Sequence, residues 1–311
     1  MPFLSKTLLS CVAAASLVAC VQTDDAPSGL RTAMPTADQV AIKLPDNGGS
    51  QRSVGELAQW YVATRGVVRT FNGGTAWVLT LLHTIVQFPV TSVSGEVYTW
   101  GPWSGALDPA EYKLDVTDRG DGTYAYQLSG RSKTEANAAF EVVIQGIADP
   151  TPGELQGNGE LTVDFDAGRR VNPVDAGDAK GQMSARYDLA AKHLDLTLVS
   201  TDAQGAPLSA DYAYNEAADG GGDMVFDFHA DAGGTPALET ATLRSRWLAT
   251  GAGRADARLA DGDLPGAGVT ASECWSTQFR RTYYVDSQSF APTEGNVSDC
   301  AFAAADLPPL P

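Results

Sequence analysis

The stretch Tyr112-Lys113-Leu114-Asp115-Val116-Thr117 decides the fold, because apolar and polar residues alternate in it with a period of two. Successive side chains of a β-strand point to opposite faces, so the pattern predicts a strand with one face toward a core and the other toward water. The same alternation recurs around Leu161, Val163 and Phe165 and again over 183–189. It therefore predicts a chain dominated by antiparallel strands with one wet face.

Further strands are predicted on both sides of this stretch, near 96–100, 123–130, 140–148, 193–200, 209–215, 224–230, 241–249, 253–260 and 279–285. Short turn signals rich in Asp and Gly separate them at hairpin spacing, at 118–122, 202–205, 219–222 and 250–253. The sequence thus predicts a mainly β domain over 91–300, built as a long antiparallel up-and-down meander. Because twist accumulates in a long sheet, we expect a curved sheet or half-barrel.

A helical hairpin is expected over 53–90, before the strands. The first helix begins at a capping box between Ser53 and Glu56, and apolar residues recur at helical spacing over 54–69. Asn72-Gly73-Gly74 is expected to end that helix, and a second helix over 76–88 ends at Pro89. This second segment is apolar on nearly every face, so we expect the half-barrel to surround it.

The first nineteen residues carry one charge, Lys6, and an apolar run over 7–19 follows it, which is typical of a secretory signal peptide. The apolar run is shorter than the ~20 residues of a membrane-spanning helix. Leu17-Val18-Ala19-Cys20 ends the run and resembles the lipobox of bacterial lipoproteins. The resemblance implies cleavage after residue 19 and lipidation of Cys20. A second stretch, Leu8-Leu9-Ser10-Cys11, fits the same pattern but leaves almost no apolar run before it. The other alternative is an ordinary secreted protein that has a cysteine near its cleavage site by chance.

This resemblance implies attachment to a membrane through the N-terminal lipid, since several acyl chains on one cysteine anchor a protein stably. Residues 20–52 are rich in Thr, Asp, Pro, Gly and Ser, and we expect them to form a lipidated N-terminus and flexible tether. In lipoproteins an Asp directly after the cysteine favours the inner membrane, whereas Val21 and Gln22 follow here. The expected location is therefore the bacterial cell envelope, at the outer membrane.

Two cysteines remain once Cys11 leaves with the signal peptide and Cys20 carries lipid. In an exported protein the pair Cys274 and Cys300 predicts a disulfide. The aromatic and basic residues over 279–286 suit either an interaction surface or a terminal strand, and a Pro-rich tail follows over 301–311. Arg244 and Arg246 share a strand face, which we interpret as solvated.

Charge and motifs restrict the function. The chain has 38 acidic and 21 basic residues and a formal net charge of −17, which disfavours nucleic acid as a partner. No nucleophile elbow, HExxH motif or Gly-rich phosphate loop occurs, so the sequence predicts no catalytic residue, no cofactor and no enzyme activity. Asp227, His229 and Asp231 alternate on one strand face and are the candidates for a metal site, although a solvated face is the preferred interpretation.

Three functional hypotheses follow. The predicted architecture is similar to that of the periplasmic lipoprotein carriers, which have an unclosed antiparallel barrel, although no motif of that family occurs here. The similarity implies a carrier that holds an apolar small molecule inside the half-barrel. The alternative is a structural lipoprotein, or one that binds an envelope protein, with a filled core and no ligand; a hydrolase or metalloenzyme ranks last.

Overall fold

The protein is described from a computed structural model, which covers residues 26–33, 56–153, 156–175, 179–231, 237–264 and 266–309. Within these residues the helices are α1 (Ser28–Ala33), α2 (Gln59–Val86) and α3 (Phe165–Val171). The strands are β1 (Ser92–Ser94), β2 (Val97–Trp103), β3 (Ala110–Asp118), β4 (Tyr124–Ser132), β5 (Glu141–Asp149), β6 (Asn158–Asp164), β7 (Gln182–Asp188), β8 (His193–Thr201), β9 (Pro207–Glu216), β10 (Gly222–Ala230), β11 (Glu239–Trp247), β12 (Gly253–Asp261), β13 (Val269–Trp275), β14 (Arg281–Asp286) and β15 (Glu294–Gly295).

The strands form one 15-stranded antiparallel sheet whose strand order is the chain order. The sheet is not closed in the described part of the chain, where β1 pairs with β2 and β15 with β14. The predicted mainly β, up-and-down meander is thus confirmed. Each strand predicted from alternation is present, and β1, β13 and β15 are additional. No helix of the described ranges is long and apolar enough to span a bilayer.

Two compact units divide the described chain. One contains residues 26–33 and 76–190, and the other contains residues 56–75 and 191–309. The sequence predicts a single β domain over 91–300, so the division between residues 190 and 191 lies inside the predicted domain. We call the two parts the N-terminal unit and the C-terminal unit.

The predicted helical hairpin is wrong, because α2 runs as one helix of 28 residues through the glycines at 73 and 74. Both glycines lie on the exposed side, whereas Asn72 is only 4% exposed and Phe71 stacks on Tyr212 with ring centroids 5.3 Å apart. Each glycine costs about 1 kcal/mol relative to alanine in a helix. Packing of the opposite side outweighs that cost, since most helix stability in proteins comes from tertiary contacts.

The start of α2 also differs from the prediction. The helix begins at Gln59 rather than at residue 54, because Leu57 forms a β-bridge with Arg280 and the Ala58 N–H donates to the Phe279 carbonyl at 3.0 Å. Extended backbone is therefore required directly before the helix. The predicted capping residue Ser53 lies outside the described residues.

The core of the N-terminal unit contains apolar side chains from the end of α2 and from the inner face of its strands. Leu79, Leu82 and Val86 of the helix are fully buried, as are Leu114 and Val116 of β3. Alternation on β3 thus points apolar side chains inward and leaves Asp115 and Thr117 on the outer face, as the sequence predicts.

Two short helices of this unit depart from the predicted pattern. Residues 26–33 belong to the expected tether, yet they contain α1, whose Leu30 is fully buried, so these eight residues do not behave as a free tether. The rest of 20–52 lies outside the described residues. The predicted strand around 161–165 ends at Asp164, whose carboxylate accepts from the Ala167 N–H at 2.8 Å and caps α3.

The core of the C-terminal unit contains large aromatic side chains on the inner face of β9–β13. Tyr212, Tyr214, Trp247 and Trp275 are buried there. The start of α2 packs on the same face, where the Thr64 and Ser245 hydroxyls are 2.6 Å apart. A buried hydroxyl pair of this kind satisfies both polar groups and fixes the position of the helix on the strands.

Candidate functional site

A polar groove on the outer face of β3–β7 is the candidate functional site. Strand register places one polar residue from each strand in a single row across it: Asp115, Gln127, Gln145, Thr162 and Ser184. The cavity above this row has a volume of about 540 Å³. Neighbouring strands lie about 4.8 Å apart, so the row spans roughly 19 Å. The groove therefore offers a line of hydrogen-bonding groups rather than a single point of contact.

Two strand glycines beneath the groove accommodate buried tyrosines on the inner face. A methyl group at Gly146 would lie 2.4 Å from the Tyr126 hydroxyl, and one at Gly159 would lie 2.5 Å from that of Tyr187. The Tyr126 hydroxyl donates to the Glu160 carbonyl at 3.2 Å. Burial raises the pKa of both phenols, so they stay neutral and serve as packing. The glycines thus let two large side chains fill the interior directly beneath the groove.

The charged groups of the groove are already paired. Asp115 accepts from the Thr99 hydroxyl and from the Lys113 ammonium, each at 2.6 Å. Glu160 and Arg186 are 3.5 Å apart and both are largely exposed. Positive and negative side chains balance each other here, so the site has no strong preference for a charged ligand.

The uncommitted groups of the groove are the side-chain amides of Gln127 and Gln145. Both residues are exposed, and neither amide makes a hydrogen bond with any of the described residues. Each amide offers two N–H donors and one carbonyl acceptor. The groove can therefore bind hydroxyl or amide groups of a neutral polar ligand.

Comparisons with family models, curated proteins and solved structures gave no match.

The predicted disulfide partners are joined in the C-terminal unit. Cys274, at the end of β13, is fully buried, and its sulfur lies 2.06 Å from that of Cys300. Cys300 follows a short 3-10 turn over Val297–Asp299. The bond closes a loop with a sequence separation of 26 residues, which contains β14 and β15. Cys20, the predicted lipidation site, lies outside the described residues.

The candidate metal residues Asp227 and His229 are each paired with a threonine of β11. Asp227 is 4% exposed and accepts from the Thr242 hydroxyl, and the His229 Nδ1 is 3.1 Å from the Thr240 hydroxyl. Asp231 follows the end of β10. Within the described ranges no group of three His, Cys, Asp or Glu side chains is arranged to hold a metal ion. The predicted solvated face is wrong for Asp227, whose second carboxylate oxygen is buried without a hydrogen-bond partner.

A small apolar pocket lies in the C-terminal unit beside the start of α2. It is lined by Tyr61, Trp247, Trp275 and Phe279 and has a volume of about 20 Å³. The Tyr61 and Phe279 rings, which line it, stack with centroids 4.2 Å apart. Sites for small molecules usually measure some 300–1,000 Å³, so this pocket does not hold an apolar ligand of that size.

Proposed function

We propose that the protein is a lipid-anchored bacterial envelope lipoprotein that binds a neutral, hydroxyl-rich ligand, a glycan, in the polar groove of β3–β7. The observation that carries the proposal is the pair of uncommitted amides, Gln127 and Gln145, in a groove of about 540 Å³. Planar amides bind pairs of hydroxyl groups through both donor and acceptor. The function is binding rather than catalysis.

A glycan suits this groove better than an extended peptide does. Peptides commonly add a strand to the free edge of a sheet, where backbone groups are unpaired. The groove instead lies over β3–β7, whose backbones are paired on both sides within the row from Gln127 to Thr162. Recognition therefore depends on side chains, and the polar ones that are not already in ion pairs are amides and hydroxyls.

The apolar ligand expected from the sequence has less support from the described residues than a polar ligand has. The apolar pocket beside Tyr61 measures about 20 Å³, against about 540 Å³ for the groove. The proposal thus differs from both expectations from the sequence, an apolar ligand held inside the half-barrel and a filled core with no ligand.

Replacing both amides should weaken glycan binding without affecting folding. In a Gln127→Ala/Gln145→Ala variant we expect affinity to fall by about 10- to 100-fold, since each hydrogen bond contributes about 0.5–1.5 kcal/mol. Unfolding free energy should change by less than about 0.5 kcal/mol, because both side chains are exposed and unbonded. The measurement is a glycan array followed by calorimetric titration of the strongest binder.

Gln204→Ala is the matched control, because Gln204 is also exposed but lies in a turn of the C-terminal unit. This variant should bind as the unchanged protein does. The groove proposal is overturned if no glycan is retained by the unchanged protein, or if the double variant retains the same glycan with equal affinity.

The lipid anchor has its own test. A Cys20→Ser change should abolish fatty-acid labelling and shift the protein from the membrane to the soluble fraction, because the acyl chains provide the attachment. A Cys11→Ser change, at the second cysteine that fits the pattern, should leave labelling unchanged. Labelling that survives the loss of Cys20 contradicts the lipobox assignment.

A further inference from the structure

The chain's own C-terminal segment, residues 300–309, lies on the outer face of β11–β13. Strand register pairs Cys274 with Arg254, so both side chains leave the same face of the sheet. The disulfide joins Cys300 to Cys274 on that face. The start of the segment is therefore fixed beside Arg254, and Leu307 further along is only 5% exposed.

Three arginines of this face donate to backbone carbonyl oxygens of the segment. The Arg254 Nη1 donates to the Phe302 carbonyl at 3.5 Å, the Arg246 Nη1 to that of Asp306 at 2.8 Å, and the Arg244 Nη1 to that of Pro308 at 3.2 Å. Any peptide offers carbonyl groups, so these contacts recognise a backbone shape rather than a sequence.

Side-chain recognition comes from two apolar residues of the segment. Leu307 is buried, and the Phe302 ring lies 4.9 Å from the Arg246 guanidinium in a cation–π contact. The segment keeps a short 3-10 turn over Ala304–Asp306, in which the Asp306 carboxylate accepts from the Ala303 N–H at 2.7 Å. The bound shape is thus a turn followed by a buried leucine and a proline.

The charge of this face favours an acidic partner. Asp256 pairs with Arg254 at 3.0 Å and with Arg244 at 3.3 Å. Asp256 therefore pairs with two of the three arginines, and Arg246 makes no ion pair with it. The segment adds carbonyl groups, while its Asp306 carboxylate is used within its own turn. The remaining positive charge attracts carboxylates in a protein that is otherwise strongly acidic.

We infer that the outer face of β11–β13 is a peptide-binding groove, which the chain's own C-terminal segment occupies. Its partner is a peptide of the same chemistry, with an acidic residue followed by leucine and proline, as in Asp306-Leu307-Pro308. Such a peptide binds by displacing residues 302–309, while the disulfide retains the displaced segment at Cys300. The inference concerns the C-terminal unit and is independent of the glycan proposal.

A Leu307→Asp variant tests the groove, because a charged residue at this buried position weakens the chain's own segment but leaves the disulfide intact. The probe is a fluorescent synthetic peptide with the native sequence of residues 302–309. We expect the variant to bind the peptide at least 10-fold more tightly than the unchanged protein, and an added Arg246→Ala change to reduce that binding at least 10-fold. Leu107→Asp, at a residue that is 98% exposed, is the control and should behave as the unchanged protein.

Hydrogen exchange on the unchanged protein keeps the test independent of how the variant folds. A saturating amount of a mass-labelled form of the peptide should accelerate exchange over 303–307, with no change in β3–β7. The inference is overturned if a folded Leu307→Asp protein binds no more peptide than the unchanged protein, or if peptide binding leaves exchange over 303–307 unaltered.

Discussion

A Glu273→Ala change is expected to lower the free energy of unfolding by about 3–5 kcal/mol, because it removes the fully buried partner of a largely buried ion pair. Glu273 is 0% exposed and lies on β13. One of its carboxylate oxygens accepts from the Arg281 Nε at 2.7 Å. The Arg281 side chain is itself only 10% exposed, so the change leaves a cation without its main partner in the interior.

The same carboxylate also caps α2. Its two oxygens accept from the backbone N–H groups of Gln59 at 3.1 Å and Trp60 at 2.6 Å. The first N–H groups of a helix have no partner within the helix, and a negative charge near them is favoured by the helix dipole. A single side chain from the sheet thus supplies the N-cap that the helix sequence lacks.

The charge of Arg281 is maintained by its carboxylate neighbours. Burial alone would lower the pKa of this guanidinium, but the hydrogen bond from Arg281 to Glu273 and the nearby carboxylates of Glu294 and Glu56 raise it above its ordinary value. Because a guanidinium is not deprotonated in proteins, the loss of Glu273 is not relieved by deprotonation of Arg281.

Glu294→Ala is the matched control for Glu273→Ala. Glu294 also reaches Arg281, at 3.4 Å, but it is 48% exposed, so its loss should cost less than about 1 kcal/mol. The free energies of unfolding of the two variants are measured by chemical denaturation followed by circular dichroism. Hydrogen exchange locates the effect, which we expect near α2 and β13. Equal losses of stability in the two variants would show that burial of the ion pair does not matter.

Glu273 also explains why β13 is missing from the strands predicted by sequence. The stretch Val269-Thr-Ala-Ser-Glu-Cys-Trp275 carries a carboxylate at an inward position and a buried cysteine at an outward one, so its residues do not alternate between apolar and polar. Elsewhere, as in β3, alternation alone was sufficient. In β13 the inner face binds a helix terminus instead of packing only against apolar side chains, whereas the other two unpredicted strands, β1 and β15, are short and exposed.

The helix prediction failed for a related reason. Asn72-Gly73-Gly74 is a strong local signal for a helix end, but local propensity is weaker than the packing of Phe71 on Tyr212 and Phe226. Those partners lie well over one hundred positions away in the sequence, and no local pattern encodes them. The tether prediction had the same weakness, since burial of Leu30 in α1 depends on the fold around it.

The candidate site was only partly visible in the sequence. Alternation assigns Gln127 and Gln145 to the outer face, but their place in one row depends on strand register, which pairs Gln127 with both Asp115 and Gln145. The interpretation of Arg244 as solvated was wrong, because this side chain is half-buried and donates to the Pro308 carbonyl. Arg246 is exposed, as predicted, although it also donates to the Asp306 carbonyl. The pairing of Cys274 with Cys300 was predicted, because these two cysteines remain in a chain that we expect to be exported.

Removal of the disulfide should give the second large loss of stability, about 3–4 kcal/mol in the chain-entropy account for a loop with a sequence separation of 26 residues. A Cys274→Ala/Cys300→Ala variant avoids a reactive lone thiol. The loss should be local: hydrogen exchange should accelerate in β13, β14 and residues 302–308, while β3–β7 of the N-terminal unit serve as an internal reference.

Reduction of the unchanged protein provides an independent comparison for the double variant. A dithiol reductant should lower the stability of the unchanged protein to that of the variant, and it should leave the variant itself unaffected. A loss below about 1 kcal/mol would contradict the prediction, and would mean that the three arginine contacts and the burial of Leu307 hold the segment without covalent help. In that case the groove on β11–β13 would have substantial affinity of its own for this peptide, because only non-covalent contacts would then hold residues 302–309 in place.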